Sequence, residues 1–175
     1  TEKVEMLEYA AEGATFLLNS PYGKDEVWNK LTGQVQKNII EKRCKLFVID
    51  ATTVARENGM SGRINTIMQT CYFALSGVLP REEAIKQIKK AIEKTYFKKG
   101  QKVIDQNFKA VDATLENLYE VDYPKKVTAA MHDLLIVPDK APDFVKNITS
   151  VMMADHGDQL PVSKMPVDGT YPSGT

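Results

Sequence analysis

The chain is poor in the residues that usually carry chemistry, with two cysteines and two histidines among 175 residues. Cys44 and Cys71 lack the short spacing of zinc or iron–sulfur ligand pairs and are read as buried, reduced thiols. His132 stands beside Asp133, and His156 lies between Asp155 and Asp158; both are read as surface or turn residues. Net charge is also lacking, since 23 basic residues balance 23 acidic ones. Nothing in that balance steers the chain toward a nucleic acid or an anionic membrane. No apolar run approaches the ~20 residues that span a bilayer, and the opening residues lack the charged and apolar regions of a signal peptide. The expected location is cytoplasmic. Gly59-Met60-Ser61-Gly62 has neither the Lys-Ser/Thr ending of a phosphate loop nor the glycine spacing of a dinucleotide fingerprint. With no G-x-S-x-G elbow, HExxH pair or acidic calcium loop, no catalytic residue and no metal ligand is expected.

What is present is a strong alternation of elements, and the length is ample for a hydrophobic core. Val4, Leu7 and Ala11 lie at helical spacing in a segment closed by Gly13, and Thr15–Asn19 reads as a strand. Asp25 is placed to cap a helix over 25–42 whose apolar stripe is Val27, Trp28, Leu31, Val35, Ile39 and Ile40, with Gly33 offering a break near Thr32. Leu46–Ile49 is a second strand, of the kind covered on both faces. The two strands and their helix predict a βαβ unit with a parallel pair.

The most informative stretch is 46–70. A helix is expected from Ala51 to Asn58, stopped by Gly59, with Ser61 capping a largely buried helix that begins near Arg63 and carries Ile64, Ile67, Met68, Cys71, Ala74 and Leu75. Arg63, Asn65 and Gln69 would be costly to bury without partners. Pro80, Glu82 and Glu83 open the next helix, and Lys94, Lys98, Lys99 and Gly100 close it. Lys86, Lys89 and Lys90 read as a solvated face, or as a phosphate or partner site. A further helix over 102–119 should pack antiparallel to its predecessor. Beyond Glu120, six of the eight prolines mark an extended arm with short helices over 127–135 and 143–153. Its tail from Gln159 is expected to lie on a partner surface.

Ligands of open parallel sheets collect outside the carboxyl ends of the strands, which places Asn19, Ser20, Asp50 and Thr52 on the candidate edge. The same residues also suit helix caps and turns. Two strands are too few for a stable sheet, so the remainder is expected from sequence outside this chain or from a second copy in a homodimer.

Val48-Ile49-Asp50-Ala51, followed through Gly62-Arg63-Ile64-Asn65-Thr66-Ile67-Met68-Gln69-Thr70, resembles the single-chain pyruvate:ferredoxin (flavodoxin) oxidoreductases. GATFLLNSP from Gly13, SGVLP from Ser76, Glu93–Tyr96 with Lys99-Gly100, and KAVD from Lys109 follow in the family's order. Pro161–Thr175 resembles the segment leading to its EKR signature. The resemblance implies the later part of a three-layer α/β/α γ domain over 1–120, then a linker arm over 121–175. The implied fold class is a partial α/β/α domain with a βαβ core, a helical pair and an irregular proline-rich arm. It implies a parent enzyme that uses thiamine diphosphate and [4Fe–4S] clusters, with coenzyme A as acetyl acceptor and ferredoxin or flavodoxin as electron acceptor. Those cofactors would be held by other domains, and two distant cysteines could not hold a four-thiolate cluster. The γ domain implies a coenzyme A-side role for Asn19, Ser20, Asp50, Arg63 and Asn65. Against it stands a structural role in which Arg63 pairs with Asp50 while Asn65 and Gln69 fasten domain contacts. A free-standing α/β binding or assembly module of a 2-oxoacid oxidoreductase complex is the other reading.

Overall fold

Two five-residue runs of apolar and β-branched side chains form the centre of the sheet. In the computed structural model, which describes residues 6–60, 63–129 and 136–172, β1 (Thr15–Asn19) and β2 (Lys45–Ile49) pair in parallel with Thr15 opposite Lys45 and Asn19 opposite Ile49. The parallel pair expected from the βαβ pattern is therefore present. A third strand, β3 (Tyr119–Glu120), lies antiparallel on the other edge of β2, giving the order β1-β2-β3. The sequence placed Tyr119 in a helix. Two residues are too few to show strand alternation, and their pairing depends on a partner strand some 70 positions away.

The connection between β1 and β2 breaks where Gly33 allows it. Val27–Lys30 forms a 3-10 turn, Leu31 is extended, and the Thr32 hydroxyl accepts a 3.4 Å bond from the Val35 N–H at the head of α1 (Gly33–Glu41). A continuous helix over 25–42 is thus corrected to a turn and a helix. Its end near Lys42 is as expected, with Arg43 in the left-handed region at φ 50°. The helix expected before Gly13 is also corrected, with Val4 outside the described residues. Residues 6–12 run in turns, and the Lys42 ammonium binds the carbonyls of Leu7 and Glu8 that a helix would have paired internally.

Asp50 begins α2 (Ala51–Glu57), and Gly59 at φ 71° ends it. The left-handed conformation favours glycine there, whereas the nearest atom to an added side chain, the Gln106 amide nitrogen at 2.8 Å, ends a flexible side chain that can move aside. Next come α3 (Asn65–Ser76), α4 (Arg81–Tyr96) and α5 (Gln101–Glu116), with Gly77 and Gly100 at positive φ between them. Ser61, the expected cap of α3, lies outside the described residues. α4 carries Glu82 and Glu83 in its first turn and Lys94 in its last, matching the charge preference of the helix dipole. It packs on α5, where Lys89 binds Asp112 at 2.7 Å.

Three apolar clusters result. One surrounds β1 and α1 through Phe16, Trp28, Leu46 and Val48; a second joins β2 and α2 to α3 through Ile49, Ala55, Ile67 and Cys71; a third lies between α4 and α5 around Ile88, Ile92, Ile104 and Val111.

Residues 121–129 pack onto the sheet-side cluster. Tyr123 stacks on Trp28 with ring centroids 5.0 Å apart, and its hydroxyl donates to the Cys44 carbonyl. The Gln36 carboxamide, wholly buried, accepts from the Thr128 and Ala129 N–H groups at 2.8 and 3.0 Å and donates to the Trp28 carbonyl. The expected helix over 127–135 falls mostly on residues outside the described set, including His132. Residues 143–153 are helical as expected, with a π-helical stretch at Val145–Thr149 and α6 at Ser150–Met153. The tail is expected to be too proline-rich for packed secondary structure and to lie on a partner. It forms short 3-10 turns at Gly157–Gln159 and Val162–Lys164, and Tyr171 returns edge-on to Phe144 with its hydroxyl 3.0 Å from that of Thr149. An aromatic with a polar tip can pack on its own chain without continuous secondary structure.

Candidate binding edge and its surroundings

The carboxyl ends of β1 and β2 bring Asn19, Ser20 and Asp50 together, as the parallel pairing requires. Asn19 Oδ1 accepts from the Ala51 N–H at 3.0 Å, and Asp50 Oδ1 accepts from the Thr53 N–H at 2.9 Å. Both side chains therefore satisfy donors at the head of α2 that have no helical partner. Ser20 is buried; its N–H binds the Ile49 carbonyl and its hydroxyl accepts from the Tyr22 N–H. Burial pushes the Asp50 carboxyl pKa up, but bonds from Thr53 and Thr52 and the charge of Arg56 outweigh it and hold the pKa below the ordinary 3.8. A small cavity of about 110 Å³ opens here between Ser20, Asp50, Glu57 and Tyr119.

Arg63 and Asn65 sit elsewhere. Both are exposed at the start of α3, and among the described residues no hydrogen bond or ion pair joins either to Asn19, Ser20 or Asp50. The cation acting on Asp50 is Arg56 rather than Arg63. Arg63, Asn65 and Gln69, costly to bury without partners, are all exposed, and the expectation of a largely buried helix is corrected. α3 buries only the face carrying Ile67, Thr70 and Cys71, and Tyr72 remains 59% exposed. Periodicity alone identified an apolar helix but not how many of its sides are covered.

The uncovered side of α3 forms the wall of an apolar cleft of about 360 Å³ against α4, lined by Gln69, Phe73, Leu79, Ile88, Ala91 and Tyr96 among others. Sequence reasoning did not find it, although Lys86, Lys90, Lys94 and Lys98 at intervals of four marked one border. It also missed Gln36, whose partners lie about ninety residues downstream.

The thiols occupy different cores, Cys44 just before β2 and Cys71 on the buried face of α3. Burial raises both thiol pKa values, that of Cys71 to about 11. Separate, buried and protonated, they do not fit the thiolate set of an iron–sulfur cluster. Among the described residues, buried polar side-chain atoms all have partners. No helix there is long and apolar enough to cross a membrane.

Sequence comparison with known proteins finds matches over nearly the whole chain. A family profile described as pyruvate ferredoxin/flavodoxin oxidoreductase matches residues 1–117, and a second, EKR, described as a domain of unknown function, matches 125–175. The pyruvate-flavodoxin oxidoreductase of Rhodospirillum rubrum is 61% identical over 99% of this chain, which covers 14% of that protein. The pyruvate:ferredoxin oxidoreductase of Moorella thermoacetica is 40% identical, again over 99% of the chain and 15% of the relative. A crystal structure of a pyruvate oxidoreductase subunit from Thermotoga maritima aligns with 64% of the chain and 55% of its own length, at 26% identity and a TM-score of 0.47. The chain thus spans about one seventh of the length of the curated relatives it matches. With a profile covering two thirds of its residues, the chain belongs to the pyruvate ferredoxin/flavodoxin oxidoreductase family.

Proposed function

We propose that this chain is a noncatalytic section of a longer oxidoreductase that decarboxylates pyruvate, transfers the acetyl unit to coenzyme A and passes electrons to ferredoxin or flavodoxin. The carrying observation is that 99% of the chain matches a small, continuous part of much longer relatives. The same observation disfavours a free-standing module. In this reading residues 1–120 are the later part of the γ domain and 121–175 are the arm toward the cluster-bearing domain. Thiamine diphosphate and [4Fe–4S] clusters belong to other sections of the cytoplasmic parent, since the cysteines here do not fit a cluster. The parent is assembled as a homodimer.

Within it, Asn19, Ser20, Asp50, Arg63 and Asn65 form the coenzyme A side. Arg63 is the residue suited to phosphate, because its exposed fork can make two charge-assisted bonds. Asn19, Ser20 and Asp50 act differently, by fixing the backbone at the head of α2.

Two measurements test this reading. The isolated chain given pyruvate, thiamine diphosphate, coenzyme A and an electron-accepting dye should leave the dye oxidised, and turnover would place chemistry in this section. In calorimetry with coenzyme A, Arg63→Ala should weaken binding by about tenfold or more, the scale of one lost charge-assisted bond. Equal affinity removes Arg63 from the site.

A further inference from the structure

We propose that the cleft between α3 and α4 seats an acidic, amphipathic helix supplied by another section of the same polypeptide. This inference rests on the reading of the chain as part of a longer protein. Four observations support it.

The cleft floor and walls are mostly apolar, with Phe73, Leu79, Ile88 and Ala91 in place and polar atoms offered by Gln69, Gln87, two threonines and the Tyr96 hydroxyl. The apolar surface continues beyond it: Val78 and Leu79 at one end of α4 are 67% and 39% exposed, and Phe97 at the other end is 79% exposed. Exposed apolar side chains flanking an apolar cleft in this way suit a contact.

One border of the cleft is a ridge of like charge. Lys86, Lys90 and Lys94 recur every four residues, one above another along α4, roughly 100° around the axis from the cleft-lining Gln87, Ala91 and Thr95, and Lys98 follows in the 3-10 turn Phe97–Lys99 beyond its end. Lys86, Lys90, Lys94 and Lys98 are exposed, and among the described residues none of them has an ion pair. Lys89, on the α5 side, is the one lysine of α4 held by a carboxylate. Lys94 complements the helix dipole, but like charges at this spacing disfavour an isolated helix, so helix stability explains only part of the ridge.

The charge is local. Residues 81–102 hold eight basic and three acidic side chains, an excess of five positive charges in a chain whose formal net charge is zero. A partner for this face must therefore be acidic where it meets the ridge and apolar where it enters the cleft.

The dimensions suit a helix. The antiparallel walls run from Thr66 to Phe73 on α3 and from Ala84 to Tyr96 on α4, a length of roughly 18 Å along α4 at 1.5 Å per residue. A third helix of about three turns fits such a groove by ridge-into-groove packing, with apolar residues at intervals of three and four facing inward and carboxylates on one flank. The source is the same polypeptide because relatives of this chain are about seven times its length, and a lining this apolar suits a permanent contact better than a transient one.

The test is zero-length carbodiimide coupling of the purified native polypeptide, which joins an amine to a carboxylate only when the two are in contact, followed by peptide mapping. The expected result is bonds from at least two of Lys86, Lys90, Lys94 and Lys98 to Asp or Glu residues three or four apart on one segment outside residues 1–175. Links confined to Glu82, Glu93 or other carboxylates of this section would overturn the proposal. So would links to a second copy, identified by mixing isotope-labelled and unlabelled protein, or to a separate protein added as electron acceptor. Ala91→Trp in the native polypeptide should fill the cleft and reduce those links at least tenfold while leaving the coupling of Lys125, remote from the cleft, unchanged. Unchanged links from the ridge would place the occupant elsewhere. An intact mass near 20 kDa would instead remove the longer parent, and the helix with it, and mass and linkage report these two failures separately.

Discussion

The sheet side and the α3–α4 side of this molecule treat polar and apolar groups in opposite ways. At the sheet, Asn19, Ser20, Gln36 and Asp50 all have internal partners, and their bonds close turns, start α2 or tie down residues 128 and 129. On and just beyond the helical pair, apolar side chains face an open cleft and four lysines have no ion pair among the described residues. The place where an open parallel sheet conventionally binds ligands is thus committed largely to its own architecture. The surface with unused binding capacity lies on the helices behind it.

Removing a sheet-side polar group should therefore be expensive, beginning with Gln36→Ala. That change leaves the Thr128 and Ala129 N–H groups and the Trp28 carbonyl without their partner, at a cost of about 2–3 kcal/mol. Thermal unfolding should register the loss, and amide exchange of residues 121–129 should accelerate more than that of α5. Uniform acceleration would show that this segment does not depend on Gln36 in particular.

A smaller effect is expected for Asp50→Ala, about 1 kcal/mol for the lost helix cap. Because the folded pKa of Asp50 lies below its ordinary 3.8, its contribution is fully present above 3.8 and disappears as pH falls through the lower folded value. The stability difference between parent and variant should be constant at neutral pH and close in acid below 3.8. A difference that persists there, or closes at higher pH, would assign the effect to something other than the carboxylate. Asn19→Ala removes the acceptor of the Ala51 N–H and should cost a similar amount without the acid dependence.

The helical pair should respond in the opposite direction. Lys90→Glu in the 175-residue chain replaces two like-charge spacings, to Lys86 and Lys94, with opposite-charge ones against one new like-charge spacing to Glu93, and should stabilise it by a few tenths of a kcal/mol, an effect that added salt diminishes. A loss of stability on making this change would mean that Lys90 already has an internal role, and the contrast between the two sides would fail.

How much of this was legible in the sequence depended on how local each signal was. The limits of α4 follow from Pro80, the two glutamates, the terminal lysines and Gly100, all within one stretch, and Asp50 and Gly59 mark α2 in the same way. The edge formed by Asn19, Ser20 and Asp50 was legible because parallel pairing fixes which strand ends lie together. Exposure at Arg63, Asn65 and Gln69 was not, because the stripe on α3 records apolarity without saying whether one neighbour or two will cover it. β3 and the burial of Gln36 were hidden for a related reason: both are made by residues near 120–129 returning to a unit built from residues before 50. Proline-rich composition there indicated an extended path, which is correct locally, but a path can be extended and still be packed.

The single tryptophan of the chain stands at that return. Trp28 is buried, lies nearly parallel to the Tyr123 ring at an interplanar angle of 11°, and donates from its indole nitrogen to the Thr128 hydroxyl at 3.0 Å. The molecule consequently contains its own optical reporter for one event. Detachment of residues 121–129 would expose the indole to water and remove its stacked neighbour, shifting its emission to longer wavelength before the helices behind the sheet need change at all.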